Sequence, residues 1–337
     1  MEQASNVSPM EIFATINAFH RSAALKSGIE LDIFTKIAEG NKTAKEIAQA
    51  CEASERGTRI LCDNLAVMGF LTKENSEYDL RDDSAFFLNR SSPAYLGKAV
   101  DFLMSPTLLE GFQNLTTAVK SGGTAIPDEG SVAPENPVWV EFARGMMPMM
   151  MPAAQMMTEK LEFDEGKELK ILDIAAGHGI FGITIAQRYQ NAEIYALDWA
   201  KVLEVAKENA GKFGVADRYK TIEGSAFDVD FGTGYDLILL TNFLHHFDAP
   251  TNEKLLRKIY DSLAADGKVL TLEFIPNDDR ISPPAEAAFS LIMLSSTPSG
   301  DAYTFAELKQ MFQNAGFSNS EHHPLPEMPQ HLVISSK

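Results

Sequence analysis

The sequence predicts an α/β protein in which a Rossmann-like, mostly parallel sheet follows an N-terminal helical part with a winged-helix pattern. Three observations predict this fold. Strands and helices alternate from Glu168 onward, a strand, glycine turn, helix and strand occupy 170–198, and two helices with a short hairpin occupy 43–80. Such alternation is typical of a parallel sheet with helices on both faces. A chain of 337 residues is long enough for two domains.

The N-terminal helices are predicted from apolar residues at helical spacing. The first series contains Ile12, Ile16, Phe19 and Ala23. Thr43, with Glu46 three residues later, forms a capping-box pattern that predicts the start of another helix. A further helix is predicted from about Ser54 to Gly69, with strands over 70–73 and 77–80 behind it.

Two helices and a hairpin of this kind serve either DNA binding or packing. The second helix carries only Arg56 and Arg59 as basic residues, and in the hairpin Lys73 stands beside Glu74. A surface that follows phosphates needs several basic residues. The sequence therefore favours a packing module.

The middle of the chain, from 91 to about 160, is predicted to be helical, with a loop over 121–137. It would connect an N-terminal domain over 1–90 to a C-terminal domain over 161–337. Its apolar stretch over 145–157 contains Pro148 and Pro152 and is too short to span a bilayer.

The predicted sheet contains strands at 171–174, 194–197, 220–223, 237–240, 268–274 and about 331–335. A helix over 304–314, ended by Gly316, precedes the closing strands.

Charge and cysteine content exclude several classes of protein. The formal net charge of −18 opposes non-specific binding to nucleic acid or anionic lipid. Cys51 and Cys62 are too few for a disulfide framework and lack metal-ligand spacing. We expect no metal and, because the first ten residues do not resemble a signal peptide, a cytoplasmic protein.

The glycine turn indicates a nucleotide site. Gly177, Gly179 and Gly182 fit G-x-G-x-x-G, and Asp198 follows at the end of the next strand, a pattern that also fits dinucleotides. Asp173 lies in the preceding strand, where a carboxylate would repel a pyrophosphate but attract an ammonium or sulfonium. The two carboxylates therefore favour S-adenosylmethionine over NAD.

With these residues the chain resembles the class I S-adenosylmethionine-dependent methyltransferases. The order of its segments, from about Ile12 to Gly316, resembles the two-domain small-molecule O-methyltransferases of the caffeate and hydroxyindole type. The resemblance implies a seven-stranded methyltransferase sheet and a homodimer. Its N-terminal domain would form the dimer and help to close the partner's site.

The resemblance also implies a set of cofactor-binding residues. Asp173, with Gly177 and Gly179 beside it, would face the amino-acid end of the cofactor, and Asp198 would bind the ribose. Trp199, in a segment similar to Asp-Leu-Pro-x-Val, would cover the adenine. The remaining predicted residues are Ser225, Ala226 and Phe227, which replace the family's Asp-Met-Phe, and Asn242, beside Thr241 where the family often has Lys.

By the same resemblance, His245 would be the catalytic base. A histidine suits removal of a proton from a phenol, and Glu273 would orient the ring from the next strand. The family's second Glu is Ala302 here. Asp301 could substitute for it, or Glu273 could act alone.

The acceptor is expected to be a small aromatic or polyketide-like metabolite that is methylated on a hydroxyl. Phe142 and Met146 match the family's Phe-Asn-x-x-Met stretch, in which Ala143 replaces the Asn. Met150 and Met293 would add to the same apolar wall.

Three alternatives remain open. The first is N- or C-methylation that uses alignment without a base, which Thr241 and Ala302 allow. The second is a dehydrogenase, which Asp173 opposes. The third is a winged-helix regulator that senses a metabolite without turnover, which the acidic composition opposes.

Overall fold

The computed structural model describes residues 8–164 and 166–337, and the chain divides into two compact units, Met1–Val100 and Asp101–Lys337. The predicted division into three segments, with boundaries near 90 and 160, stays a prediction.

The first unit consists of helices and a two-stranded hairpin. The helices are α1 (Met10–Glu30), α2 (Ile33–Ala38), α3 (Ala44–Ala50), α4 (Glu55–Val67) and α5 (Asp82–Phe87), and the strands are β1 (Leu71–Glu74) and β2 (Glu77–Leu80). Thr43 Oγ1 accepts a hydrogen bond from the Glu46 backbone N–H at 3.3 Å, and Glu46 Oε2 accepts one from the Thr43 N–H at 2.9 Å. The predicted capping box is therefore present at the start of α3.

The core of this unit is small and apolar. Ile33, Ile37, Ile47 and Leu65 are fully buried in it. The N-terminal half of helix α1 contributes little, because its large apolar side chains are more than half exposed within the chain: Met10, Ile12, Phe13, Ile16 and Phe19. Ile29, near the C-terminal end of α1, is buried in this core. An apolar surface of this extent on one helix is typical of a protein interface.

The second unit contains the remaining helices and the main sheet. The helices are α6 (Ala99–Leu103), which begins at the boundary, α7 (Pro106–Gln113), α8 (Leu115–Ser121), α9 (Val138–Gly145), α10 (Met147–Glu159), α11 (Ile180–Arg188), α12 (Ala200–Lys212), α13 (Ala249–Ser262), α14 (Pro284–Ser296) and α15 (Phe305–Ala315). The strands are β3 (Leu169–Ile174), β4 (Ala192–Asp198), β5 (Tyr219–Glu223), β6 (Tyr235–Thr241), β7 (Leu263–Phe274), β8 (Asn319–Pro324) and β9 (Gln330–Ser336).

The predicted seven-stranded, mostly parallel sheet is confirmed. Its order is β5-β4-β3-β6-β7-β9-β8, in which β3 to β7 run parallel and β9 and β8 are antiparallel to their neighbours. The order reverses at β3, which has β4 on one side and β6 on the other. In open α/β sheets the ligand crevice lies at such a switch point, outside the carboxyl ends of the strands.

Buried strands and helix faces hold the second unit together. Ile171, Leu172 and Ile174 of β3 are fully buried, as are Leu239 and Leu240 of β6. Because these runs are apolar on both faces, helices cover both sides of the sheet, as parallel sheets require. Within residues 8–164 and 166–337, no helix is long and apolar enough to cross a membrane.

Candidate active site

The turn after β3 is built on left-handed glycines. Gly177 has φ +57° and Gly179 has φ +76°, conformations that other residues rarely adopt. A Cβ on Gly179 would stand 2.5 Å from Tyr219 Oη, and one on Gly177 would stand 3.3 Å from the Phe142 ring. Both glycines therefore permit a close approach of neighbouring groups as well as the turn itself.

Asp173 is fully buried in β3 and lacks part of its hydrogen bonding. Its Oδ2 accepts a hydrogen bond from the Gly182 N–H at 3.3 Å, at the start of α11. Among the residues that the structure describes, Oδ1 has no partner. Burial raises the pKa of Asp173 to about 7, and the charge of Asp198 adds to that rise. The carboxylate is suited to a positively charged ligand, which would complete its hydrogen bonding.

Asp198, at the end of β4, fixes the glycine turn. Its Oδ2 accepts a hydrogen bond from the Gly177 N–H at 2.9 Å, and its Oδ1 accepts one from the Trp199 N–H at 2.7 Å. Burial raises its pKa to about 6, although both backbone donors oppose the rise. Each carboxylate oxygen keeps a second lone pair that can accept from a hydroxyl.

The predicted adenine residues lie in two neighbouring segments. Trp199 is the N-cap of α12 and packs against Ala143, Val202 and Val205. Ser225 Oγ accepts a hydrogen bond from the Phe227 N–H at 3.2 Å, and Ala226 is buried in the core. The Phe227 ring makes an edge contact with the Phe247 ring, with centroids 4.9 Å apart.

Lys258, which the sequence did not single out, holds this loop in place. Its Nζ donates to the carbonyl oxygens of Ala226 at 2.9 Å and Val229 at 2.6 Å. Burial lowers the pKa of Lys258, while Asp228 and Asp230 oppose the shift.

The structure brings His245 and Glu273 together at the ends of β6 and β7. His245 Nδ1 lies 2.5 Å from Glu273 Oε2. Glu273 Oε1 accepts hydrogen bonds from the backbone N–H groups of Phe243 at 3.0 Å and Leu244 at 2.8 Å. Because Oε1 is occupied by donors, the proton between the two side chains is assigned to Nδ1, which leaves the His245 Nε2 lone pair available. His245 is 4% exposed and Glu273 is 3% exposed.

Asp301 does not take part in this pair through its side chain. Its N–H donates to the His245 carbonyl at 2.9 Å, but its carboxylate pairs with Arg280 at 3.1 Å. Ala302 is fully buried at the position of the family's second Glu. Within residues 8–164 and 166–337, Glu273 is the carboxylate that contacts the His245 ring.

Aromatic rings surround His245 and His246. The His245 ring centroid lies 4.8 Å from that of Phe289 and 4.2 Å from that of His246. The His246 ring lies 5.1 Å from the Trp139 ring, and burial lowers the pKa of His246 well below its usual value. His246 Nδ1 donates to the Phe243 carbonyl at 3.1 Å, as its neutral tautomer requires.

The predicted acceptor residues Phe142, Met146 and Met150 lie on α9, α10 and the break between them. Phe142 packs on the glycine turn and stacks on His178, with centroids 5.7 Å apart and planes at 19°. Met146 and Met150 are 5% and 6% exposed, and the Met150 N–H donates to the Met146 carbonyl at 3.2 Å. Met293, 4% exposed, lies on α14.

Asn242 is connected to Met150 through its side chain. Its Nδ2 lies 3.9 Å from Met150 Sδ, and Gln330 Nε2 lies 3.8 Å from the same sulfur. A thioether sulfur only accepts, so each NH₂ group must face it. Within the described part of the chain, Asn242 Oδ1 and Gln330 Oε1 have no partner. Both oxygens are available to ligand donors.

Several residues at this site escaped sequence reasoning. His178 occupies a variable position of the glycine motif, and Trp139, Phe289 and Gln330 carry no motif, so only the fold places these four beside predicted residues. His178 Nδ1 accepts from the Ile180 N–H at 3.2 Å, and burial lowers the pKa of His178 to about 3. Over the described ranges, no group of three or more His, Cys, Asp or Glu side chains is arranged to hold a metal ion.

Two family models match the chain. The O-methyltransferase domain matches residues 132–318, and the O-methyltransferase dimerisation domain matches residues 13–96. The first match alone covers more than half of the chain.

Individual relatives agree with both models. A solved structure from Nostoc punctiforme PCC 73102, provisionally described as an O-methyltransferase, is 55% identical, has a TM-score of 0.94 and covers 98% of this chain and 100% of its own. The S-adenosyl-L-methionine-dependent methyl transferase PigF of Serratia sp. is 25% identical, over 95% of this chain and 93% of its own. The structure of PigF with S-adenosylhomocysteine has a TM-score of 0.88 at 24% identity, with 98% and 100% coverage, and shares the fold.

A third relative is named for an aromatic acceptor. The 3-hydroxy-5-methyl-1-naphthoate 3-O-methyltransferase of Streptomyces sahachiroi is 26% identical, over 88% of this chain and 86% of its own. The chain therefore belongs to the S-adenosylmethionine-dependent O-methyltransferases that combine a dimerisation domain with a methyltransferase domain.

Proposed function

We propose that this enzyme methylates a hydroxyl group of a small aromatic or polyketide-like metabolite, with His245 as the general base. The observation that carries the proposal is the buried contact between His245 Nδ1 and Glu273 Oε2, 2.5 Å apart. A general base needs a partner that sets its tautomer, and Glu273 would be that partner for His245. Backbone N–H groups in turn hold Glu273 in place.

The residues around the glycine turn fit S-adenosylmethionine. When bound, the cofactor supplies a methyl group already activated on a sulfonium. The unpartnered Oδ1 of Asp173 would accept from its ammonium, and Asp198 would accept from its ribose hydroxyls. Trp199, Ser225, Ala226 and Phe227 would surround the adenine, and Asn242 would contact the cofactor near the acceptor.

His245 would remove the acceptor's proton. A phenol has a pKa of about 10, so transfer needs a base within hydrogen-bond distance. The Nε2 lone pair would take the proton, and Glu273 would stabilise the imidazolium through Nδ1. Because both side chains are at least 95% buried, water competes little for this proton.

The side chains near the base favour an apolar acceptor. Phe142, Met146, Met150 and Met293 offer carbon and sulfur surfaces, and methionine adapts to irregular shapes. The S. sahachiroi relative is named for a hydroxynaphthoate, an acceptor of this chemistry.

We also propose that two copies of the chain associate through the N-terminal unit. The dimerisation-domain match covers 13–96, and the exposed apolar face of α1 lies partly within it. A second copy would bury that face.

The test is His245→Ala. We expect kcat on a panel of phenols to fall at least about 100-fold, while S-adenosylhomocysteine binding stays unchanged. His323→Ala, which removes a half-buried histidine of β8, is the matched control. Near wild-type turnover by His245→Ala, together with an N- or C-methylated product, would reject base-catalysed O-methylation in favour of the alignment mechanism.

A further inference from the structure

Glu286 is a buried carboxylate that the proposed mechanism does not use. It lies in the first turn of α14 and is 6% exposed. Within residues 8–164 and 166–337, its nearest ionisable partner is His331, whose Nε2 lies 3.6 Å from Glu286 Oε1, longer than an ordinary hydrogen bond. Burying a carboxylate is costly unless donors compensate it. Glu286 is therefore only partly compensated by the chain.

His331, the histidine beside Glu286, shares a hydrogen bond with His322. His322 Nε2 and His331 Nδ1 are 2.7 Å apart, so one proton lies between them. If His331 Nε2–H faces Glu286, Nδ1 must accept from His322 Nε2–H, and the His331 ring is then neutral. Burial lowers the pKa of His322 to about 4 and also lowers that of His331, although Glu286 opposes the second shift. Both shifts favour the neutral form of these rings.

The position of Glu286 places it near the base. Glu286, Phe289 and Met293 are spaced by three and four residues and share one face of α14. Phe289 contacts the His245 ring, with centroids 4.8 Å apart, and stacks on Phe274 at 3.9 Å. Phe289 is displaced from Glu286 by about 5 Å along the helix axis.

The pairing of β9 with β7 also places Glu286 near His245. His331 of β9 pairs directly with Glu273 of β7, and side chains of directly paired residues lie on the same face of a sheet. Glu286 therefore contacts His331, and His331 pairs with Glu273, whose side chain contacts His245. A carboxylate that only compensated the α14 dipole would need no burial.

We propose that Glu286 determines acceptor specificity by binding a protonated amine on the acceptor, remote from the hydroxyl that is methylated. The inference rests on the proposed function, because it assumes that the face of α14 carrying Phe289 and Met293 lines the acceptor pocket. An ammonium would supply the donors and the positive charge that Glu286 lacks.

Tyramine and 4-ethylphenol are suitable probes, because they are similar in size and only tyramine carries an ammonium. Two quantities are measured for each phenol: kcat/KM for methylation, and the dissociation constant for the S-adenosylhomocysteine-loaded enzyme by calorimetry. The variants are Glu286→Gln, which keeps the shape and removes the charge, and Glu321→Gln as control. Glu321 also pairs with a histidine, at 3.7 Å from His323, but its side chain is 60% exposed.

We expect the wild type and Glu321→Gln to prefer tyramine about tenfold or more, and Glu286→Gln to lose that preference without weaker binding of 4-ethylphenol. Equal use of both phenols by the wild type, or a preference that survives in Glu286→Gln, overturns the inference and leaves O-methylation standing. Glu286-dependent tyramine binding without methylation supports the inference and counts against the proposed reaction. If neither phenol binds, the inference is overturned.

Discussion

Cofactor binding should release protons, because two buried carboxyl groups must ionise to receive it. Burial raises the pKa of Asp173 to about 7 and that of Asp198 to about 6. A bound ammonium favours the ionised form of Asp173, and ribose hydroxyls that donate to Asp198 favour the ionised form of Asp198. We therefore expect S-adenosylhomocysteine to bind most tightly above pH 7, and its affinity to fall as the pH drops through these two values.

The two pKa values set the size of the effect. Between pH 7.5 and pH 5.5, the cost of removing the proton grows about 25-fold for a group with a pKa of 7 and about fourfold for one with a pKa of 6. If both must ionise, the affinity falls about 100-fold over this range. Asp173→Asn should reduce the pH dependence to about fourfold. Asp198→Asn should reduce it to at most about 25-fold, because the charge of Asp198 contributes to the raised pKa of Asp173.

Calorimetry in two buffers with different ionisation enthalpies measures both affinity and proton release. Buried histidines interfere little, since the pKa of His178 is about 3 and that of His322 about 4. Asp301→Asn is the control, because its carboxylate is partly exposed and pairs with Arg280. An affinity that changes less than about threefold between pH 5.5 and 7.5, without proton release, would refute the assignment of Asp173 and Asp198 as the cofactor's carboxylates.

Three further predictions concern single residues. Without cofactor, Asp173→Asn should raise the free energy of unfolding by up to about 4 kcal/mol at pH 8 relative to the wild type. The reason is that the raised pKa of the Asp173 carboxyl penalises its ionised form in the folded state above pH 4. Denaturant titrations measure this gain and should show none at pH 4. Glu273→Gln should lower kcat about 100-fold or more without changing S-adenosylhomocysteine binding, because it removes the carboxylate that sets the His245 tautomer. Single-turnover kinetics measure the effect, and unchanged turnover would contradict the prediction. Ile16→Glu should give monomers by light scattering if α1 forms the dimer interface, whereas an unchanged mass would contradict this.

Local signals in the sequence were sufficient for most of the fold. The capping box at Thr43 and the glycine turn at Gly177 are complete within a few residues, so no tertiary information was needed. Strand β8 was not located, because Asn319–Pro324 is polar, contains two histidines and lies at the sheet edge. Its strand character comes from pairing with β9, which local propensity does not encode.

Sequence reasoning identified site candidates most directly where residues occupy strand ends. Asp198, His245 and Glu273 follow or end parallel strands, and such ends meet at one edge of a sheet. Phe289 lies on a mainly apolar helix and Gln330 lies at the start of an antiparallel strand, and both sequence patterns indicate packing. Their proximity to His245 and Met150 depends on how α14 and β9 cross the sheet edge.

The buried carboxylates differ in how fully the chain itself satisfies their hydrogen bonding, and this difference distinguishes structural groups from candidate ligand-binding groups. Glu273 has both oxygens occupied, one by backbone N–H groups and one by His245, so its energetic cost is met within the chain. Among the described residues, Asp173 Oδ1 has no partner, and the contact of Glu286 Oε1 with His331 Nε2 is long, at 3.6 Å. Incomplete hydrogen bonding at buried charges costs stability, and a binding site recovers that cost when the ligand brings the missing donors. By this argument we propose that Glu273 orients a base, and that Asp173 and Glu286 each bind a positively charged group, one on the cofactor and one on the acceptor.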